Sequence, residues 1–127
     1  MRPFIFSLVL ACGAASAQPD SQGDVAQVLQ GRASYYSDAL AGRSTASGEP
    51  YDPQQLTAAS RDLPFGTRVR VTRIDADGND MASVVVRVND RGPYARGRVL
   101  DLSQAAAEQI GMIRTGSAPV SIELLQG

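Results

Sequence analysis

Two short segments carry the clearest pattern of apolar and polar positions. Residues 68–74 alternate with period two, placing Val69 and Val71 on one face and arginines on the other. Period-two alternation predicts a half-buried strand. Residues 82–89 contain Val84-Val85-Val86-Arg87-Val88, a β-branched run that predicts a second strand. Asp77-Gly78 between them is a hairpin signal. Shorter strands are predicted at 32–36, 56–59, 99–102 and 120–124. Residues 103–110 predict the one clear helix: Ser103 or Asp101 can cap it, three alanines favour it, and Gly111 stops it. Asp52-Pro53 predicts one further helical turn over 52–56. Residues 39–50 are rich in Gly, Ser and Thr and form a long loop, of a length that points to function as readily as to plain surface. Many short strands and one helix predict a mainly β fold, a small closed barrel with long loops. Closure also removes exposed strand edges.

The chain has 127 residues, enough for one domain and one modest core. Its N-terminus pairs Arg2 with the apolar run 4–11, the pattern of a secretory signal and too short to span a bilayer. Ala15-Ser16-Ala17 is a small-x-small cleavage site that leaves Gln18 as the mature start. Val9-Leu10-Ala11-Cys12 is an alternative, a lipoprotein-type box in which Cys12 is acylated and anchors the protein to the outer membrane. Either route takes the protein to the periplasm. Residues 18–30 are expected to form a flexible leader, with the ordered domain spanning 31–125.

All twelve cations are arginine, and the net charge is −1. No basic field exists to drive nucleic-acid binding. Arginine alone means that every positive charge can grip a carboxylate with two prongs. The chain lacks histidine, lysine and tryptophan, and Cys12 is its one cysteine. No His/Cys cluster suits zinc, no glycine loop cradles phosphate, and no cofactor is implied. Any acid–base chemistry falls to carboxylates.

Asp90 is the first candidate. It closes the strand at Asn89-Asp90-Arg91-Gly92-Pro93, where a carboxylate at a strand mouth can serve as general acid or as acceptor for the turn's own amides. Arg87 is expected to diverge from the Val86, Val88 and Asp90 face. Glu49, in Thr45-Ala46-Ser47-Gly48-Glu49, is the second. It is placed to bind a ligand's hydroxyls or, by proximity, to keep a proton on Asp90.

Taken in order, Gly31-x-Ala33-Ser34-Tyr35-Tyr36, Thr45-Ala46-Ser47-Gly48-Glu49, Leu56-Thr57-Ala58-Ala59, Leu63-Pro64-Phe65-Gly66-Thr67, Val88-Asn89-Asp90-Arg91-Gly92-Pro93 and Asp101-Leu102-Ser103 resemble the RlpA (rare lipoprotein A) family from Gly31 to Leu124. The resemblance implies a six-stranded double-psi β-barrel. It also implies an endolytic lytic transglycosylase that cuts MurNAc–GlcNAc bonds of peptide-poor peptidoglycan strands and leaves 1,6-anhydro-MurNAc ends. Typical members add a C-terminal glycan-binding SPOR domain, absent from this sequence, so septal recruitment is not carried over. Where members read Ala-Ala-His, this chain reads Ala58-Ala59-Ser60.

The nucleophile of such a reaction is the C6 hydroxyl of the substrate, so one acid that later acts as base can suffice. Asp90 and Glu49 are the expected catalytic residues. Ser60, Arg91, Tyr94 and Tyr36 are the expected substrate-binding residues, with Ser60 a hydrogen-bond donor that cannot shuttle protons as histidine does. Arg91, Arg96 and Arg98 could pair with the lactyl carboxylate of MurNAc. The expected partner is the glycan strand, bound by a monomer. Two other readings stay open: an expansin-like peptidoglycan binder without catalysis, and a secreted interaction module using the barrel as scaffold.

Overall fold

The computed structural model describes residues 25–125, with side chains described from Val28 onward. The signal run, Cys12, the Ala17 cleavage site and residues 18–24 of the expected leader lie outside these residues. Six strands form one closed barrel: β1 (Val25–Tyr35), β2 (Thr57–Ala59), β3 (Arg68–Ile74), β4 (Asp80–Asp90), β5 (Arg98–Leu102) and β6 (Ser117–Leu125). Around the barrel the order is β1-β5-β2-β4-β3-β6, with β6 returning to β1. The β1–β5 and β2–β4 pairs are parallel and the other four antiparallel.

The alternation in β3 and β4 works as the sequence predicts. Val69 and Val71 from β3 meet Val84 and Val86 from β4 inside the barrel, with Leu100, Leu102, Val120 and Ile122 from the neighbouring strands, and Val88 is fully buried as well. The β3–β4 connection turns on Asp75, whose Oδ1 accepts from the Asp77 and Asn79 amides at 2.9 Å each. Helix α1 (Gln104–Gln109) closes one side, burying Ala106 and Ala107. Its cap is Ser103, whose Oγ accepts from Ala106 N and from Thr57 N, both at 3.3 Å. Asp101 does not cap; it accepts from Ser34 Oγ and faces Arg98 at 3.7 Å.

Two local expectations change. Strand β1 begins at Val25, ahead of the expected domain start at Gly31, because residues 25–34 pair along β6 from Leu125 to Ser117. Val28 and Leu29 are both exposed, so no in–out alternation marks this half of the strand. Residues 52–56 form a turn without a helix: Asp52 Oδ1 accepts from Gln54 N at 2.9 Å, and Pro53 O accepts from Ala105 N at 2.9 Å. That second bond docks the turn against α1.

Gly31 is required by close approach. A Cβ there would lie 2.5 Å from Val99 Cγ1 and 2.9 Å from Cγ2. Gly31→Ala is therefore expected to cost about 1–3 kcal/mol through overpacking. Adding Val99→Ala should return part of that loss, because the two side chains compete for one space. Denaturant melts of the single and double variants check this, and strict additivity would refute it.

Candidate active site

The C-terminal end of β4 meets the C-terminal end of β1, and the loop after β1 folds over both. The parallel β2–β4 register slips between Val88 and Asp90, so that Ala58 faces Val88 and Ala59 faces Asp90. Such a bulge re-aims the residues it displaces. Asn89 is the displaced residue. Its carbonyl accepts from Ser47 N at 3.2 Å instead of from a strand partner, and its Nδ2 donates to Glu49 Oε1 at 3.0 Å.

Residues 42–51 form a narrow clasp. Gly42 N donates to Tyr51 O at 2.8 Å, Tyr51 N to Arg43 O at 2.7 Å, and Thr45 N to Glu49 O at 2.8 Å. The tip closes through Gly48 N on Thr45 O at 2.9 Å, with Gly48 at φ 96°, a conformation glycine adopts without cost. Four ties hold the clasp to β4: the Ser47–Asn89 bond, Arg87 Nη1 donating to both Glu49 carboxylate oxygens at 3.1 and 2.9 Å, Asn89 Nδ2 on Glu49 Oε1 at 3.0 Å, and Ala46 N on Asp90 Oδ1 at 2.8 Å.

Asp90 collects three donors. Oδ1 accepts from Ala46 N and from Arg91 N, both at 2.8 Å, and Oδ2 accepts from the Tyr36 hydroxyl. The Tyr36 ring stacks on Tyr51 with centroids 4.5 Å apart and planes 24° apart. Burial, first, and the Asp90 carboxylate, second, push the Tyr36 hydroxyl far above the ordinary tyrosine range. Tyr51 is also pushed up, mainly by burial, and its hydroxyl accepts from Gln104 N at 3.1 Å. Both phenols stay protonated at any physiological pH. Between them and the clasp lies a cleft of about 180 Å³, lined by Tyr36, Arg43, Thr45, Tyr51 and Asp90 among others.

The predicted site residues fall into distinct places. Tyr36 and Asp90 touch. Glu49 is on the same clasp as Ala46, but its carboxylate pairs with Arg87 and Asn89. Ser60 is 5% exposed; its hydroxyl accepts from Asp62 N at 3.3 Å and Leu63 N at 3.1 Å, while its amide donates to Asp90 O at 3.1 Å. Arg91 turns inward, donating to Ser60 O at 3.1 Å and Leu63 O at 2.8 Å, with its guanidinium 4.1 Å above the Phe65 ring. Tyr94 stands 76% exposed. Arg43, Thr45 and Asn89 belong to the site without having been singled out from sequence. Arg43 is the lone cation of the 39–50 loop, and that was the available signal. Among the described residues no group of three or more His, Cys, Asp or Glu side chains could hold a metal ion.

The Glu49 carboxyl is held below the ordinary value of 4.5, first by the Arg87 hydrogen bonds and next by Asn89. A depressed folded-state value adds stability above 4.5 and loses it as pH falls through the lower folded value. The clasp is thus expected to loosen only below 4.5. Carboxyl NMR should place the Glu49 midpoint below 4.5, and Arg87→Met should move it upward. A midpoint indifferent to Arg87 would remove the ion pair from this account.

A family model described as lytic transglycolase matches residues 28–122. The probable endolytic peptidoglycan transglycosylase RlpA of Nostoc sp. is 58% identical over 99 residues, covering 76% of this chain and 26% of that protein. The endolytic peptidoglycan transglycosylase RlpA of Campylobacter jejuni is 44% identical over 101 residues, 80% of this chain and 35% of its own length. Among solved structures, Streptomyces papain inhibitor superposes with a TM-score of 0.59 at 25% identity, covering 80% of this chain and 97% of that one. The expansin of Clavibacter michiganensis gives 0.59 at 26% identity, covering 79% and 51%. The chain spans about a quarter to a third of the length of these curated RlpA relatives. The match across nearly all of the barrel, with relatives this similar, makes the chain a member of the lytic transglycolase family, the double-psi β-barrel domain shared by RlpA proteins.

Proposed function

We propose that this domain is an endolytic peptidoglycan lytic transglycosylase in which Asp90 is the acid and then the base. The observation that carries the reading is the asymmetry of the Asp90 carboxyl. Two backbone amides occupy Oδ1, which leaves Oδ2, on the Tyr36 side, as the oxygen that gives and takes a proton. A tyrosine hydroxyl can donate to the ionised form and accept from the protonated one, so Tyr36 serves both halves of the cycle.

Asp90 first gives its proton to the glycosidic oxygen, and the bond from that oxygen to C1 of MurNAc breaks. The C6 hydroxyl of the same MurNAc bonds to C1 and yields its proton to Oδ2. The carboxyl is restored, no water is consumed, and the product ends in 1,6-anhydro-MurNAc. Held donors and fixed geometry supply the organisation such a step needs. Glu49 acts as the second site carboxylate: its half-exposed side chain can accept sugar hydroxyls, and its grip on Arg87 fixes the amide that holds Asp90. Tyr36 and the exposed Tyr94 offer rings for sugar stacking. Ser60 and Arg91 contribute by holding the floor under Asp90.

Among the described residues no helix is long and apolar enough to cross a membrane. The place of action that fits the signal-like N-terminus is the periplasm, as a monomer released after Ala17 or anchored through Cys12. One observation favours a second reading, a glycan binder without catalysis. The Ser60 hydroxyl is buried in its own turn, so no proton carrier replaces the histidine that family members have there.

Purified protein incubated with denuded sacculi should release fragments with 1,6-anhydro-MurNAc ends, read by mass spectrometry. Asp90→Asn should lower the rate by about 10²–10⁴-fold, the usual worth of a general catalyst. Undiminished release from that variant would show another group to be the acid. Sedimentation of the protein with insoluble peptidoglycan, without anhydro products, would select the binder.

A further inference from the structure

The arginines around the cleft divide sharply by what they touch. Arg87 is spent on Glu49, Arg91 on three carbonyls and a ring, Arg98 on Asp101, and Arg61 on the carbonyls of Pro93 and Arg98 at 3.1 and 3.2 Å. Arg43 forms no ion pair with any described residue. It is also the one cation among the residues lining the Asp90 cleft. Its backbone is fixed on both sides, through its amide on Leu40 O at 3.0 Å and its carbonyl under Tyr51 N at 2.7 Å. Arg43 thus stands on a rigid base in the wall of the cleft that holds Asp90.

Asp90 does not need Arg43, because three donors already satisfy its oxygens. An exposed planar fork beside a cleft of about 180 Å³, roughly one sugar ring, is suited to a two-pronged contact with a ligand carboxylate. We infer that Arg43 is the specificity residue of this cleft and binds the carboxylate of a carboxylated sugar unit, the free lactyl group of MurNAc. The inference rests on the reading of the ligand as wall glycan and adds the residue that distinguishes one glycan from another. A stem peptide on the lactyl group turns that carboxylate into an amide, and the fork then loses its partner. Carboxylates of the peptide itself are the other source of the same chemistry.

The test uses Asp90→Asn protein, in which turnover is expected to be slowed by about 10²–10⁴-fold, and calorimetric titration with three forms of one glycan tetrasaccharide: peptide-free, peptide-free with lactyl methyl esters, and peptide-bearing. The peptide-free acid should bind about tenfold tighter than its ester, the scale of one charge-assisted contact. Adding Arg43→Gln should erase that difference by weakening the acid alone, and Arg43→Lys should restore part of it. Equal loss for acid and ester would overturn the inference, as would no loss for either. Peptide-bearing glycan binding as tightly as the peptide-free acid, in an Arg43-dependent way, would overturn the lactyl assignment in favour of the peptide. Lyase failure reads out separately: a wild-type protein that makes no anhydro ends but still discriminates through Arg43 refutes the reaction and leaves the carboxylate contact standing.

Discussion

The attachment of the 42–51 clasp to the end of β4 is the constraint on which the site depends. Strand β4 is a rigid member of a closed barrel, whereas the clasp has no buried core of its own. The bonds from Ser47 to Asn89, from Glu49 to Arg87 and Asn89, and from Ala46 to Asp90 set where the tip of the clasp lies against β4. The bulge at Asn89 makes this attachment possible, since it turns a carbonyl away from the β-ladder and toward the loop. One irregular residue thus converts a strand end into a mounting point.

Asp90 sits at the junction of that mount with β1. It is held by the clasp through Ala46, by its own turn through Arg91, and by the β1 exit through Tyr36. The stack of Tyr36 on Tyr51 ties β1 back to the far leg of the clasp. The cleft is therefore bounded by three independent pieces of chain, and the carboxyl group is the point they share. A site built this way gains orientation from packing and hydrogen bonds that are in place before any ligand arrives.

The framework was legible in the sequence wherever the information is local. Val69, Val71, Val84, Val86 and Val88 announce two strands by alternation, Asp77-Gly78 announces the turn, and Ser103 announces the helix. The early half of β1 was not legible, because Val28 and Leu29 are neighbours that both face outward and their strand form comes from pairing with β6. The site divides in the same way. The position of Asp90 at a strand end follows from local pattern. Its partners Ala46 and Tyr36 lie 44 and 54 residues away, and no spacing rule reaches that far. The direction of Arg91 depends on which carbonyls lack donors, here those of Ser60 and Leu63, and only the folded turn reveals that.

The pairing of the first strand with the last has a geometric consequence. Ser34 lies opposite Ser117, near the cleft, whereas Val25 lies opposite Leu125 at the other pole. At ~3.3 Å per residue along β1, that pole is up to about 36 Å from Tyr36. Both ends of the described domain thus lie side by side, at the pole opposite the Asp90 cleft. A pull applied at that pole would be carried by the β1–β6 ladder and would leave the Asp90 cleft clear.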